Sequence, residues 1–458
     1  MGKRRQSPLF SLLALPLAAC TADPSTDGAG GAPSATSSGA STATATTTAS
    51  STAGGTGGAG GGPVDPGPTR YPADARHSPM SAEVVARLKA VLAASPNRPD
   101  VFAKVGDSIT VTPAFLGCLD GSDVDLGAHA ALDPSRAFFA TTLADAVDSS
   151  YDRATQAAVV GWSAGAANKG DPTPIEQEVA AILPGFAVIM FGTNDTYAGG
   201  QLTFERNLLA DVDALLALGV VPLMSTIPPR GDSAAMNELV PEMNTIIRAI
   251  AQYRQVPLMD LHQTLVGLAD YGLSGDGVHP ATYFSGSYHG CWFNDSGLTE
   301  GMNQRNLITL EALDRARRFV VAAEAPEPAP PPLEGSGTHA DPLRIDALPF
   351  ADDRTTMGAE SVFDVYGCAP QDESGPEIVY EITLSAETHL RATVYCDDGV
   401  DVDLHWLSAP TADACVERDD HTIDLTAGPG TYTLVADSYV SQGVPQSGGY
   451  RLTIVALP

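Results

Sequence analysis

The stretch VFAKVGDS at residues 101–108 joins an apolar run to a glycine, an aspartate and a serine. Val101 to Val105 have the length and composition of a buried strand. Ser108 follows it at a strand-to-helix turn, where backbone N–H groups can stabilise negative charge. A Gly-Asp-Ser tripeptide alone is a common turn, so its meaning depends on the rest of the chain.

Apolar runs alternate with helical patterns from residue 71 to about residue 325. The runs have the length of buried strands, and apolar residues at helical spacing lie between several of them. This alternation predicts an α/β fold, a doubly wound parallel sheet with chemistry at the carboxyl ends of its strands. The predicted strands are Val101–Val105, Phe186–Phe191, Val220–Thr226 and Val256–Leu261, and the clearest helices carry Val84 to Leu92, Phe204 to Leu215 and Leu307 to Phe319.

The composition changes after a proline-rich run at residues 325–332. Short β-rich segments separated by glycine, proline and aspartate turns follow, and they predict a small all-β sandwich. We therefore divide the chain into a signal peptide at 1–20, a disordered tether rich in Ser, Thr, Gly and Ala at 21–70, the α/β domain at 71–325, a Pro-rich linker at 326–345 and the β-sandwich at 346–458.

The N-terminus has the pattern of an export signal. Basic residues precede an apolar run from Leu9 to Leu17, which is too short to span a bilayer. Leu17-Ala18-Ala19-Cys20 resembles the lipobox of bacterial lipoproteins, which implies that Cys20 is acylated. We expect an exported protein held by lipid at the cell envelope, on the outer membrane or cell surface, with a plain secretory signal as the alternative.

The charge balance excludes one class of partner. The chain carries 25 Lys and Arg against 55 Asp and Glu, a formal net charge of -30, which repels nucleic acid and anionic membrane surfaces.

His-Glu-x-x-His and Cys-x-x-Cys motifs are absent from the sequence, so no metal and no cofactor are predicted. Four aspartates between residues 397 and 403 could offer oxygen ligands to calcium, but acidic turns are common on acidic proteins.

Two later segments give Ser108 a chemical context. Gly192-Thr193-Asn194-Asp195 follows a predicted strand, and Asp276-Gly277-Val278-His279-Pro280 lies near the end of the same domain. Acyl transfer needs a nucleophile, a base, a carboxylate that orients the base, and donors for the oxyanion. The step from Asp276 to His279 is one tight turn, so the carboxylate can reach Nδ1 while Nε2 faces Ser108. Asn194 can supply a side-chain N–H.

These blocks, in this order, resemble the SGNH/GDSL hydrolases, a family with a flavodoxin-like fold. The resemblance covers about Phe102 to Ala325. It implies that Ser108 is the nucleophile, His279 the general base and Asp276 its orienting partner. It also implies an oxyanion hole formed by the Ser108 N–H, the Asn194 side chain and one glycine.

That glycine falls within Gly161-Trp162-Ser163-Ala164-Gly165. The resemblance assigns it to Gly165, with Gly161 as the alternative. The same five residues match the Gly-x-Ser-x-Gly elbow of α/β-hydrolases, in which Ser163 is the nucleophile. Three separate blocks favour Ser108 over one five-residue match. Both interpretations use His279 as the base, and His289 is the reserve.

The last hundred residues resemble the bacterial pre-peptidase C-terminal domain. The resemblance depends on Asp401-Val402-Asp403-Leu404, Gly430-Thr431-Tyr432 and Gly449-Tyr450-Arg451-Leu452-Thr453. It implies either a stabilising or spacing appendage or a targeting role on polysaccharide or protein.

The cysteines predict a disulfide beside the site. Cys118 follows Ser108 by ten residues and Cys291 follows His279 by twelve. Both follow residues that must be close in space, so a Cys118–Cys291 bond is expected in an oxidising compartment. The remaining three, Cys368, Cys396 and Cys415, allow one pair and one free thiol in three ways.

The sequence therefore predicts a serine esterase. Export and an appended β-sandwich favour acetyl or short acyl groups on polysaccharide as substrate, with membrane contact only through the lipid. The alternatives are a surface binding or adhesion protein with a vestigial site, or a lipase, lysophospholipase or thioesterase of the same fold. The sequence does not determine the oligomeric state.

Overall fold

The computed structural model describes residues 68–457, so the predicted signal peptide, Cys20 and nearly all of the tether lie outside the described residues. None of the helices in this range is long and apolar enough to cross a membrane. The α-helices are α1 (Ala82–Ala93), α2 (Ser108–Val111), α3 (Asp133–Thr141), α4 (Pro174–Ile182), α5 (Gln201–Ala217), α6 (Ala234–Asn237), α7 (Val240–Arg254), α8 (Leu261–Leu265) and α9 (Gly301–Arg315), and a π-helical turn at Ala316–Val321 extends the last.

The strands fall into two groups along the chain. The first group is β1 (Arg98–Gly106), β2 (Pro184–Met190), β3 (Val221–Ser225) and β4 (Leu258–Met259). The second is β5 (Leu343–Ile345), β6 (Phe350–Thr355), β7 (Glu377–Leu384), β8 (Thr388–Cys396), β9 (Val402–Leu407), β10 (Cys415–Asp419), β11 (Thr422–Ala427), β12 (Gly430–Ser438), β13 (Val440–Ser441), β14 (Val444–Pro445) and β15 (Gly449–Leu457).

The first four strands form one parallel sheet in the order β1-β2-β3-β4. On the edge of β1 opposite β2, the Gly106 N–H donates to Ala157 O at 3.1 Å and Gly106 O accepts the Val159 N–H at 3.3 Å. The chain therefore passes to both sides of β1, which creates a switch point at its carboxyl end. The predicted doubly wound α/β fold is confirmed.

The edge strand β4 is shorter than predicted. The sequence pattern gives a strand over Val256–Leu261, but the ladder contains only Leu258 and Met259. Pro257 has no N–H to donate, and the Asp260 N–H is taken by Arg76 O at 2.8 Å. Asp260 then caps α8 through its side chain.

The second group of strands forms a sandwich of two antiparallel-rich sheets. One has the order β10-β9-β12-β7-β5 and the other β11-β8-β15-β6. Their inner faces bury one apolar core that includes Tyr380, Val394, Leu404, Trp406 and Leu452. The segments predicted as strands after residue 345 therefore fold as the expected β-sandwich.

The β-sandwich packs directly against the α/β domain, because β6 and β15 contact α7. Arg451 Nε lies 2.7 Å from Glu205 Oε1, and both side chains are almost fully buried. Arg391 Nη1 lies 2.7 Å from buried Glu242. Burial raises the pKa of Glu205, and the Arg451 guanidinium opposes that effect.

The start of the proline-rich linker is also held in place. Glu327 lies 2.6 Å from Arg315 Nη1 and accepts the Met80 N–H at 2.9 Å. The Glu327 N–H in turn donates to Met80 O. In this structure the β-sandwich is thus a packed part of the protein and not a module held at a distance.

Arg451→Met tests this interface. The change leaves Glu205 buried without its cation, and breaking a buried pair costs about 3–5 kcal/mol. The double variant Arg451→Met/Glu205→Leu removes both charges and should recover much of that loss. The measurement is urea unfolding of the full chain. Arg344→Met is the control, because Arg344 is half exposed and its nearest carboxylate oxygens are 3.7 Å away. A loss no larger than that of the control would contradict a structural role for the pair.

Candidate active site

Ser108 is the first residue of α2, directly after β1. Asp107 caps this short helix, because its side chain accepts the Ile109 N–H at 2.9 Å. The Asp107 carboxyl is buried, and burial raises its pKa. The serine therefore stands at the switch point of the sheet, where open α/β folds bind their ligands.

Gly106 allows the backbone to approach closely before this turn. A Cβ at this position would lie 2.7 Å from Met190 O and would also collide with the Thr110 side chain. No side chain fits between β1, β2 and the first turn of α2. The glycine of the Gly-Asp-Ser block is therefore required by packing.

The turn at residues 274–279 brings the base to the serine. His279 Nε2 lies 2.9 Å from Ser108 Oγ, and Nδ1 lies 2.7 Å from Asp276 Oδ2. Asp276 Oδ1 accepts the N–H groups of Val278 and His279 at 2.9 and 3.0 Å, and the Ser274 hydroxyl at 2.8 Å. Three of the predicted site residues thus form one hydrogen-bonded chain.

The hydrogen bonds to Asp276 fix its charge. Slight burial raises its pKa, but the N–H groups of His279 and Val278 and the Ser274 hydroxyl outweigh this and hold the pKa well below its ordinary value. The side chains of His279 and Asp276 are 42% and 53% exposed. The carboxylate therefore stays ionised beside an imidazole that is open to solvent.

A second loop holds the turn of His279. Gly277 has φ +69°, and a Cβ there would lie 2.6 Å from Asp232 N. Gly277 O accepts the Gly231 N–H at 2.7 Å. Arg230 Nη1 then donates to Thr193 O at 2.7 Å. Arg230, which follows Pro229 in the loop after β3, thus connects the loop of Asn194 to the turn of His279.

Asn194 lies on the surface at the carboxyl end of β2. Its Nδ2 donates to Trp162 O at 2.9 Å, which leaves one N–H of the amide for a ligand.

The assignment of the oxyanion glycine to Gly165 is wrong in this structure. The Gly165 N–H donates to Asp211 Oδ2 at 2.8 Å, deep in the protein, so it cannot face a substrate.

Gly161, the alternative, fits the position better. It has φ +80°, its surroundings are open, and its N–H has no protein acceptor in the described part of the chain. The residue after it, Trp162, contacts Asn194, and Val159 pairs with Gly106. Gly161 therefore lies in the loop between the predicted nucleophile and Asn194.

Two buried carboxyl groups hold this loop. Both oxygens of Asp195 lie 3.2 Å from the Ala164 N–H, and Asp211 accepts the Gly165 N–H. Burial raises the pKa of Asp195 to about 6 and that of Asp211 to about 7. Both carboxyl groups therefore have a structural role, and the role of Asp211 leaves no signal in the sequence.

A buried arginine supports the helix of the serine. Arg305 of α9 is 1% exposed and donates to Ile109 O and to Thr110 Oγ1. Its guanidinium lies 3.6 Å from the centre of the Phe115 ring. Burial lowers its pKa, and the Asp107 carboxylate opposes that effect. Arg305 thus fixes α2 from below the site.

The elbow interpretation of Ser163 has no support here. Ser163 Oγ lies 3.4 Å from Asn194 O, and no hydrogen bond joins it to His279 among the described residues. Val159 and Val160 are 42% and 70% exposed, so no buried strand leads into this serine.

The reserve base His289 belongs to a separate cluster. Its Nδ1 lies 2.8 Å from Asp123, its Nε2 lies 3.0 Å from Ser287 Oγ, and its ring stacks on Trp292 at 3.9 Å. It has no contact with Ser108 in this structure.

The structure contains two disulfides. Cys118 bonds to Cys291, as predicted, and the bond connects the segment after α2 with the segment after His279. Cys368 bonds to Cys415, which leaves Cys396 as the free thiol within residues 68–457. The second pair is one of the three that the sequence left open.

Potential metal ligands converge in one place within residues 68–457, at Cys368, His405 and Cys415. The two sulfur atoms are bonded to each other, so neither is a thiolate. Of the four aspartates near residue 400, Asp397 pairs with Arg451 and Asp403 with Arg418.

Comparison with known proteins agrees with the predicted family. Residues 105–282 match the model of the GDSL-like Lipase/Acylhydrolase family. No curated protein matches the chain. A GDSL-like lipase from Bacteroides thetaiotaomicron VPI-5482 is similar at 15% identity over 51% of this chain and 98% of that chain, with a TM-score of 0.30.

Two further solved structures are similar at low identity. An acetylxylan esterase from Geobacillus stearothermophilus is 16% identical over 48% of this chain and 94% of its own, with a TM-score of 0.31. The pre-peptidase C-terminal domain of a collagenase from Bacillus anthracis is 14% identical over 24% of this chain and 91% of its own, with a TM-score of 0.17. None of these likenesses indicates a substrate for this chain.

Asp211→Asn tests the buried carboxyl under the Gly161–Gly165 loop. Because its pKa is raised to about 7, the folded protein holds a proton that the unfolded chain loses near pH 4. Stability from this group is therefore present at low pH and falls as the pH rises towards 7. The amide keeps an acceptor for Gly165 but has no charge, so the variant does not lose this stability. The free energy of unfolding of Asp211→Asn minus that of the wild type should therefore be on the order of 1–4 kcal/mol larger at pH 8 than at pH 4.

The measurement is the free energy of unfolding at pH 4, 6 and 8. Asp295→Asn is the control, because Asp295 is exposed and has no hydrogen-bond partner among the described residues. If wild type and Asp211→Asn lose stability in parallel from pH 4 to pH 8, Asp211 is not protonated in the folded state.

Proposed function

We propose that this chain, which contains a domain of the GDSL-like lipase/acylhydrolase family at residues 105–282, is a serine esterase that removes acetyl or other short acyl groups. The match to this family supports ester hydrolysis as the reaction. The observation that carries the proposal of a serine mechanism is the contact of His279 with Ser108 at 2.9 Å and with Asp276 at 2.7 Å.

In the proposed first step, Ser108 Oγ attacks the ester carbonyl carbon while His279 Nε2 takes the hydroxyl proton. The ionised Asp276 holds the imidazole in the tautomer with a proton on Nδ1 and stabilises the imidazolium. The tetrahedral intermediate expels the alcohol, which takes the proton from His279. Water then attacks the acyl-enzyme with His279 again as base, which releases the acid and restores Ser108.

The oxyanion would meet donors from three segments. We assign these to the backbone N–H of Ser108, the free N–H of Asn194 and the backbone N–H of Gly161. Donors fixed before the reaction stabilise developing charge without reorganisation. The contact of Asn194 with Trp162 O supports this arrangement, since it fixes the amide plane beside the loop of Gly161.

Exposure of the site favours a bulky alcohol portion. The side chains of His279 and Asp276 lie at the surface, so the base of the proposed mechanism is open to solvent. An acyl group on a sugar chain can reach such a site without leaving the polymer. The net charge of -30 favours a neutral polymer over an anionic one.

We also propose that the protein is exported and held at the bacterial envelope by a lipid on Cys20. The two disulfides support an oxidising compartment. Cys20→Ala should move the protein from the detergent phase to the aqueous phase in a two-phase separation of cells expressing the full chain. Cys396→Ala is the matched control. Equal partitioning of wild type and Cys20→Ala would reject the anchor.

The serine variants test the esterase. Ser108→Ala should lower kcat on p-nitrophenyl acetate by about 10³-fold or more, because it removes the attacking oxygen. Asn194→Ala should cost about 10²-fold, the scale of one oxyanion donor. Ser163→Ala should keep most of the activity.

A fluorophosphonate probe identifies the acylated residue by mass mapping. Label on Ser163, together with an active Ser108→Ala variant, would reject the mechanism. Absence of label and of ester turnover in the folded wild type would instead favour a binding protein with a vestigial site. Activity that rises with acyl length would favour a lipase or thioesterase.

A further inference from the structure

A cavity of about 520 Å³ lies where the α/β domain meets the β-sandwich. Its volume is in the range of small-molecule sites. One wall comes from the loop after Asn194 and from the segment around α6, and the other from β8 and β15. The lining includes Tyr197, Met236, Leu239, His389, Arg391 and Leu457.

The first wall is continuous with the catalytic loops. Thr196, which lines the cavity, follows Asn194 by two residues, and its Oγ1 lies 3.1 Å from Arg230 Nη1. Gly231, which follows Arg230, donates its N–H to Gly277 O. Gly277 belongs to the turn from Asp276 to His279. The segment that begins at Arg230 therefore connects the cavity to the oxyanion loop and to the turn of the base.

The charged groups of the second wall are already paired. His389 and Arg391 are two residues apart in β8 and so lie on one face of the sheet. Both contact Asp424, at 2.6 and 2.7 Å, and Arg391 also contacts Glu242 at 2.7 Å. The cavity thus offers the planar, hydrogen-bonding groups of His389 and Arg391, whose charges are paired, together with the exposed carboxylate of Glu238 on the other wall.

Tyr197 presents an aromatic face to this space. The residue is 54% exposed. A Cβ on Gly200 would lie 2.7 Å from the Tyr197 ring, so the ring packs closely on this glycine. A sugar ring has an apolar C–H face and a polar edge, and an aromatic plane beside hydrogen-bonding side chains complements both.

We propose that this cavity binds the sugar units next to the acylated one, so that the β-sandwich supplies part of the substrate site. The inference rests on the proposed esterase function and adds to it a ligand class, a neutral oligosaccharide. Pairing of His389 and Arg391 with carboxylates favours neutral sugars over uronates. The cavity also gives the docked β-sandwich a role that a spacer would not have.

The test compares two substrates with the full chain. Tyr197→Ala and His389→Ala should lower kcat/KM for a chemically acetylated neutral trisaccharide, relative to p-nitrophenyl acetate, by about tenfold or more, chiefly through KM. Tyr288→Ala is the control, because Tyr288 is exposed and does not line the cavity. An equal fold decrease in kcat/KM for the trisaccharide and for p-nitrophenyl acetate would overturn the proposal.

Titration of the full-length Ser108→Ala protein with the unacetylated trisaccharide separates the two proposals. Binding that Tyr197→Ala abolishes, without ester turnover by wild type, would keep the sugar site and reject the esterase. Turnover of p-nitrophenyl acetate alone, without trisaccharide binding, would keep the esterase and reject the sugar site. A loss confined to long-chain p-nitrophenyl esters would assign the cavity to an acyl chain and also overturn the proposal.

Discussion

The close approach of three backbone segments at Gly106 is the constraint on which the site depends. Gly106 pairs with Ala158 on one side of β1 and with Met190 on the other, and its missing side chain leaves room for the first turn of α2. Ser108 follows two residues later, at the only edge of the sheet where the carboxyl ends of parallel strands meet. Larger residues would separate β1 from β2 and move the serine away from His279.

Buried ionisable side chains hold the loops that this sheet edge presents. Arg305 donates to the carbonyl and hydroxyl groups of α2, and Asp211 accepts the N–H of Gly165. Each group satisfies backbone or side-chain atoms that would otherwise be buried without partners. The cost of burying these groups is offset only while those hydrogen bonds last. The exposed turn of Asp276 and His279 is held separately, by the Gly231 N–H that donates to Gly277 O and by the Ser274 hydroxyl that donates to Asp276.

The β-sandwich packs against the α/β domain close to the loop that follows Asn194. A domain on a flexible connector would affect only where the enzyme acts, but Arg451 and Arg391 pair with buried carboxylates of α5 and α7. Strand β8 therefore faces the loop that follows Asn194. Residues of both parts of the chain therefore line one cavity, and in the proposed function a sugar chain bound at Ser108 would extend into it.

The sequence by itself predicted the fold class, the resemblance to the SGNH/GDSL hydrolases, the four residues Ser108, Asn194, Asp276 and His279 as candidates, and the Cys118–Cys291 pair. These follow from local periodicity and from short blocks whose order is visible along the chain. Only the tertiary structure decided that Gly161 and not Gly165 faces outward, that Cys368 pairs with Cys415, and that the β-sandwich is docked. The direction of an N–H depends on φ, ψ and the acceptor beside it, and Asp211 lies 46 residues from Gly165. Such contacts between distant residues leave no periodic trace in the chain.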